Sequence, residues 1–202
     1  MNYKNVVIAI SAIFFLGGCA TANVVVIQSA NKLAQPYHLK HIHVLYVHPK
    51  RNVGVDQFGD ERVTRVDHEA YLAHRRLADE SLDKIPEAFE KIGISSDVIR
   101  IEGRVKQANS EGLQKLFSDK YEGPIVVVKP IAKTSCPYSH TKCITDFNVK
   151  VELLDTTSKN PTPVWRAEIL APSPTVILWS SGVAQEVARA MVEKMKVDKV
   201  ID

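Results

Sequence analysis

Between Ile125 and Leu170 the chain carries three β-prone runs in succession, and this block constrains the fold more than any other feature. Ile125 to Ile131 is almost continuously apolar, as expected of a central strand covered on both faces. In the next run Phe147, Val149, Val151 and Leu153 alternate with Asn148, Lys150 and Glu152, the period of a half-buried strand. Asn160-Pro161-Thr162-Pro163 marks a turn. The third run, Val164 to Leu170, puts Trp165, Ala167 and Ile169 on one face and Arg166 and Glu168 on the other. Three consecutive strands of this kind form a meander, with Trp165 assigned to the core.

The preceding sequence alternates strand and helix signals. Val24 to Ile27 is β-prone and suits an edge strand, and His41 to Val47 is the first strand of the main body. Lys50 to Val66 lacks periodicity and reads as a loop of about sixteen residues, longer than is usual in compact domains. From Asp67 to Ile92 apolar residues (Tyr71, Ala78, Leu82, Ile85, Phe89, Ile92) recur at helical spacing. Asp67 suits the N-cap and Gly93 the position beyond the C-terminus, while Pro86 predicts a kink or a break into two helices. A strand at Asp97–Ile101 and a short helix at Ser110–Lys120 follow. A final helix is predicted over Gly182–Lys196, capped by Ser180 or Ser181, with Val183, Val187, Ala190, Met191 and Met195 inward. The order β-α-β-α-β-β-β-α predicts an α/β (α+β) fold, a mixed β-sheet with packed helices.

The amino terminus is of another kind. One positive charge, Lys4, precedes the apolar run Val6 to Leu16, which is too short to span a bilayer but fits the apolar region of a secretory signal. Leu16-Gly17-Gly18-Cys19 follows. This segment resembles the lipobox of bacterial lipoproteins, with Cys19 at the modified position. The resemblance implies cleavage before Cys19, acylation of its sulfur and nitrogen, and a membrane anchor stronger than a single chain provides. Ala20, rather than Asp, after the cysteine implies export to the outer membrane, facing the periplasm. Residues 1–18 are then a signal peptide, 19–38 a lipidated anchor and connector, and 39–202 a single periplasmic domain.

Cys136 and Cys143 bracket Pro137-Tyr138-Ser139-His140-Thr141-Lys142 between two of the β runs. Opposed positions at the base of a hairpin bring Cβ atoms within reach of a disulfide, and the periplasm favours oxidation. The spacing is not that of a Cys-x-x-Cys redox pair, nor does it match a zinc-binding pattern. Tyr138, His140 and Lys142 would sit on a stiffened tip, either a contact element for a partner or simply an exposed turn. Trp179 either staples the last helix or leaves an apolar patch for a partner.

For chemistry, the most suggestive pattern is His38-x-x-His41-x-His43 with His48. His41 and His43 share one strand face about 7 Å apart, so an ion could bridge them with a third ligand, which the sequence does not specify. His68 and His74 are not at the spacing of a His-Glu-x-x-His helix, and no nucleophile elbow, phosphate loop or dinucleotide fingerprint occurs. The carboxylates Asp79, Glu80 and Asp83 lie among Arg75, Arg76 and Lys84 and read as a solvated helix face. With 26 Lys+Arg against 23 Asp+Glu, net charge +3, no nucleic-acid partner is implied.

The element order resembles the amino-terminal domain of the Tol-Pal translocation protein TolB, and lipoproteins related to the curli secretion lipoprotein and the lipoprotein activator of peptidoglycan synthase. The hairpin, the Val164-Trp165-Arg166-Ala167 strand and the helix after Ser181 also look like the end of small lipoproteins of unknown function. None of these carries a catalytic residue across. The expectation is a lipid-anchored periplasmic binding or assembly module of a cell-envelope complex, with no enzyme activity, cofactor or metal assigned. Its partners would be the membrane, through Cys19, and an envelope protein. The alternatives are a hydrolase with a site assembled across loops, and a carrier of small ligands or lipids.

Overall fold

A computed structural model describes residues 24–48, 54–55, 61–62, 65–102, 123–135, 144–157, 161–171 and 182–202. Six strands form one sheet: β1 (Val25–Asn31), β2 (His41–His48), β5 (Ser95–Glu102), β6 (Ile125–Ser135), β7 (Ile144–Asp155) and β8 (Thr162–Ala171). Two short strands, β3 (Gly54–Val55) and β4 (Glu61–Arg62), pair separately inside the segment read as a loop. Among the described residues the helices are α1 (Arg65–Glu90) and α2 (Gly182–Val197). In the sheet the order is β1-β8-β7-β6-β2-β5. The meander β6-β7-β8 is antiparallel and β1 extends it as the edge strand, while β2 runs parallel to both β6 and β5. The sheet is therefore mixed, as the alternation of helix and strand signals predicts. The helix expected at Ser110–Lys120 lies outside the described residues, as do Ser180 and Ser181.

Both helices contribute to the main core on one face of the sheet. Ile42, Val44 and Tyr46 of β2, Phe147, Val149, Val151 and Leu153 of β7, and Trp165 and Ile169 of β8 meet Leu77, Ile85 and Phe89 of α1 and Val187, Met191 and Met195 of α2. On the opposite face a smaller apolar cluster joins Leu45 and Val47 to Ile125 and Val127. That face becomes polar toward β8, where Glu152 accepts from Lys129 at 2.6 Å and from Arg166 at 3.1 Å. Helix α1 begins at Arg65, so Asp67 lies inside it rather than at its cap. It also runs through Pro86 without breaking in two. Ile85, Ala88 and Phe89, all buried on either side of the proline, hold the last turn against the sheet and offset the missing N–H.

Pro130 in the central strand β6 follows the same logic. Parallel pairing with β2 ends at Val128, so the residue that lacks an N–H sits where no partner strand asks for one. Two positions on, the Ala132 N–H donates to Nε2 of His74 on α1 at 3.1 Å. A buried histidine thus covers the strand edge that β2 leaves open.

The helices end alike. After α1, Gly93 (φ +80°) donates to the Glu90 carbonyl at 2.9 Å and Ile94 to the Phe89 carbonyl at 3.1 Å. After α2, Lys199 (φ 54°) donates to Lys196 at 2.9 Å and Val200 to Met195 at 2.8 Å. Both are Schellman ends, with Ile94 and Val200 buried as the apolar residue beyond the cap. Asp198, in the second, accepts from Trp165 Nε1 at 2.9 Å and Lys194 Nζ at 2.7 Å. Burial alone would raise the Asp198 pKa, but the donors Lys194, Trp165 and Ser29 outweigh it and hold the carboxyl below its ordinary value.

A side chain in the left-handed region costs roughly 1 kcal/mol that glycine avoids. Lys199→Gly is therefore expected to stabilise the protein by up to about 1 kcal/mol, and Gly93→Ala to destabilise it by about as much. Space does not limit the second change, since a Cβ at Gly93 meets nothing within 4 Å. Chemical denaturation of the two variants checks both signs.

Candidate functional site

At the amino-terminal end of β2, His41 and His43 project from the face opposite the helices, since Ile42 between them enters the main core. The parallel register pairs His43 with Asp97 and His41 with Ser95. Register partners share a face, so the Asp97 carboxylate lies beside both imidazoles. His43 Nδ1 is 2.6 Å from Oδ1 and 2.7 Å from Oδ2 of Asp97. Nε2 of His41 contacts Oδ1 of the same carboxylate. The rings meet edge to face, centroids 4.8 Å apart at 75°. His43 is nearly enclosed, its side chain 11% exposed, whereas His41 and Asp97 remain open to solvent at 43% and 45%.

Ser95 organises His41. Its hydroxyl donates to the Lys40 carbonyl at 3.0 Å, which leaves its oxygen to accept from His41 Nδ1–H at 2.8 Å. That bond places a proton on Nδ1 and turns Nε2 toward Asp97.

Of the four histidines in the sequence pattern, the structure brings together only His41 and His43. His38 pairs with Asp202 near the carboxyl terminus. His48, at the far end of β2, is buried and close enough to His74 for their charges to interact. Asp97 supplies the third ligand position that the sequence leaves open. Its signal was present: aligning the apolar core of His41–Val47 with that of Ser95–Ile101 as parallel neighbours sets His43 opposite Asp97. Cys19, Cys136, Tyr138, His140, Lys142, Cys143 and Trp179 lie outside the described residues.

Other concave regions lie at the surface. A polar cleft of about 400 Å³ is lined by His48, Tyr71, Arg75, Arg100 and Glu102 at the carboxyl ends of β2 and β5. Within it Arg100 pairs with Asp79, and Arg75 lies 3.9 Å from the same carboxylate. A groove of about 340 Å³ crosses the polar face over β1, β7 and β8. Between helices and sheet, where a lipid carrier would need an apolar chamber, Trp165, Phe89, Phe147, Leu77 and Met191 are fully buried against one another.

No family model matches the chain, and neither does any curated protein. Among solved structures it is similar to a PelC dodecamer from Paraburkholderia phytofirmans, at 11% identity over 88% of this chain and 98% of that one, with a TM-score of 0.42. A second PelC dodecamer structure from that organism gives 13% identity, coverage of 89% and 99%, and a TM-score of 0.41. Protein XCC0632 from Xanthomonas campestris, which carries the family label DUF330, gives 14%, 85%, 92% and 0.40. Neither identity nor score reaches the level at which a likeness bears on function.

His74 stands apart from the His41–His43–Asp97 group because its role is structural. It accepts the Ala132 N–H and its ring packs edge to face on Phe147, centroids 5.3 Å apart. Burial, aided by the nearby charge of His48, lowers its pKa from 6.5 to about 4. Protonating Nε2 would also remove the acceptor that Ala132 uses. A depressed folded-state pKa means that only the unfolded chain takes up the proton between these values, so stability falls as pH drops from 6.5 toward 4 and levels off below. The loss is expected to reach about 3 kcal/mol. Denaturant midpoints measured across that interval should slope in the wild type and flatten in His74→Gln.

Proposed function

We propose that this protein is a lipoprotein anchored by acyl chains on Cys19 to the outer membrane, facing the periplasm, where it serves as a binding or assembly module of an envelope complex. The sequence support is Leu16-Gly17-Gly18-Cys19 behind an eleven-residue apolar run, Val6 to Leu16.

The observation that carries the reading is an apolar row on the sheet. Register aligns Val25 of β1 with Leu170 of β8, Leu170 with Asn148 of β7, and Asn148 with Ile131 of β6. All four share the face away from the helices, and the three apolar members are 52%, 39% and 50% exposed. Ile27, at the β1 bulge, is also exposed at 52%. Aliphatic side chains left in water at one end of this face are well placed to meet acyl chains or headgroups. Val25 is six residues from Cys19, a span of about 20 Å at full extension. An anchor at Cys19 therefore keeps this end of the sheet close to the bilayer. The His41–His43–Asp97 group sits at the opposite end, where His43 pairs with Ile125, six residues along β6 from Ile131.

The same orientation gives the β6–β7 hairpin its place in the proposal. Ser135 and Ile144 are register partners at the ends of the two strands, and Cys136 and Cys143 are the next residues of each. A disulfide between them would stiffen a tip bearing Tyr138, His140 and Lys142 near the membrane-proximal end and preorganise it for a partner, with Trp179 a further contact.

Radiolabelled palmitate is expected to enter the wild-type chain and not Cys19→Ser, and the variant should leave the membrane fraction. Unchanged fractionation of that variant would defeat the reading. Intact mass after periplasmic expression should show Cys136 and Cys143 oxidised; two free thiols would remove the stiffened tip from the proposal.

A further inference from the structure

We infer that His41, His43 and Asp97 form a binding site for a divalent transition-metal ion of the zinc class. The inference is independent of the membrane anchor, because it rests on three side chains of the folded sheet. Their ligand atoms all lie within 4.8 Å of one another. Around a zinc ion held by nitrogen and oxygen at about 2.0–2.2 Å, neighbouring ligand atoms stand roughly 3.3 Å apart. The carboxylate oxygens are 2.6–2.7 Å from His43 Nδ1, so small side-chain rotations open the group to that size.

The donor set and its surroundings favour a borderline metal. Two imidazoles and one carboxylate suit zinc and its neighbours, whereas calcium and magnesium seek oxygen-rich sites. The Ser95 oxygen accepts from His41 Nδ1–H and leaves Nε2 as the donor to the ion. An outer hydrogen bond of this kind fixes the tautomer of metal-bound histidines. His43 is packed into the sheet while the other two ligands face solvent, so the fourth position is left to water. Such an open site can polarise a bound water or accept a ligand atom from a second molecule.

The test uses the full chain, purified in detergent after chelator treatment and titrated calorimetrically with zinc chloride. One equivalent is expected to bind at submillimolar concentration and to raise the melting temperature, with magnesium doing neither. Asp97→Asn should weaken zinc binding about tenfold or more while leaving the metal-free circular dichroism unchanged. His41→Gln, at an exposed position, provides a second variant with the same expected loss. His38→Gln, which removes the histidine paired with Asp202, should bind as the wild type does. Absence of heat with zinc, or wild-type affinity in both Asp97→Asn and His41→Gln, would overturn the inference.

Discussion

Burial of strand β2 on both faces is the constraint on which the rest of the molecule depends. Seven of its eight residues are buried, and parallel strands flank it on either side. Ile42, Val44 and Tyr46 serve the main core, whereas Leu45 and Val47 serve the cluster on the other face. A one-residue slip against β5 or β6 would exchange these sets and drive His43 toward the helices. The register is therefore held by hydrophobic burial along the whole strand. The meeting of His43 with Asp97 is a consequence of that register, so the site inherits the rigidity of the sheet's interior rather than that of a loop.

The same constraint explains what was readable in the sequence. The meander, α2 and the stripe of Ile85 and Phe89 on α1 carry periodicity within a single element, and periodicity survives without knowledge of neighbours. The edge strand at Val25–Asn31 was visible only in its first apolar residues, because Gln28, Ser29 and Asn31 are polar and exposed. Pro86 left a kink and a break both open for a related reason: its local cost is fixed by covalent geometry, but whether a helix breaks depends on what the flanking turns bury. Asp97 belongs to a harder class. Nothing within Ser95–Ile101 marks it as a ligand, and its pairing with His43 requires knowing that β5 is the parallel neighbour of β2.

Contrasting the two kinds of histidine shows why one group invites a ligand and the other does not. His74 is buried with a backbone N–H to satisfy, and a neutral ring does this at the price of a lowered pKa. Its environment would be worsened by any cation. The His41–His43–Asp97 group has the opposite character: two imidazoles and a carboxylate converge beside solvent, where a cation meets a negative charge rather than a backbone donor.

Strand preference sharpens that contrast. Valine or threonine at positions 41 and 43 would favour the pleated geometry and need no carboxylate beside them. Local choices that oppose the fold are expected where function resides, because elsewhere each residue tends to agree with the structure it occupies. The rest of β2 obeys that rule, at Ile42 and from Val44 to Val47, and its departures lie toward its ends. At the carboxyl end His48 faces the polar cleft lined by Arg75 and Glu102. At the amino end the departure has two histidines, the Asp97 carboxylate they share and a supporting serine. An arrangement with that many converging parts is explained by a ligand at its centre more readily than by the stability of the strand that carries it.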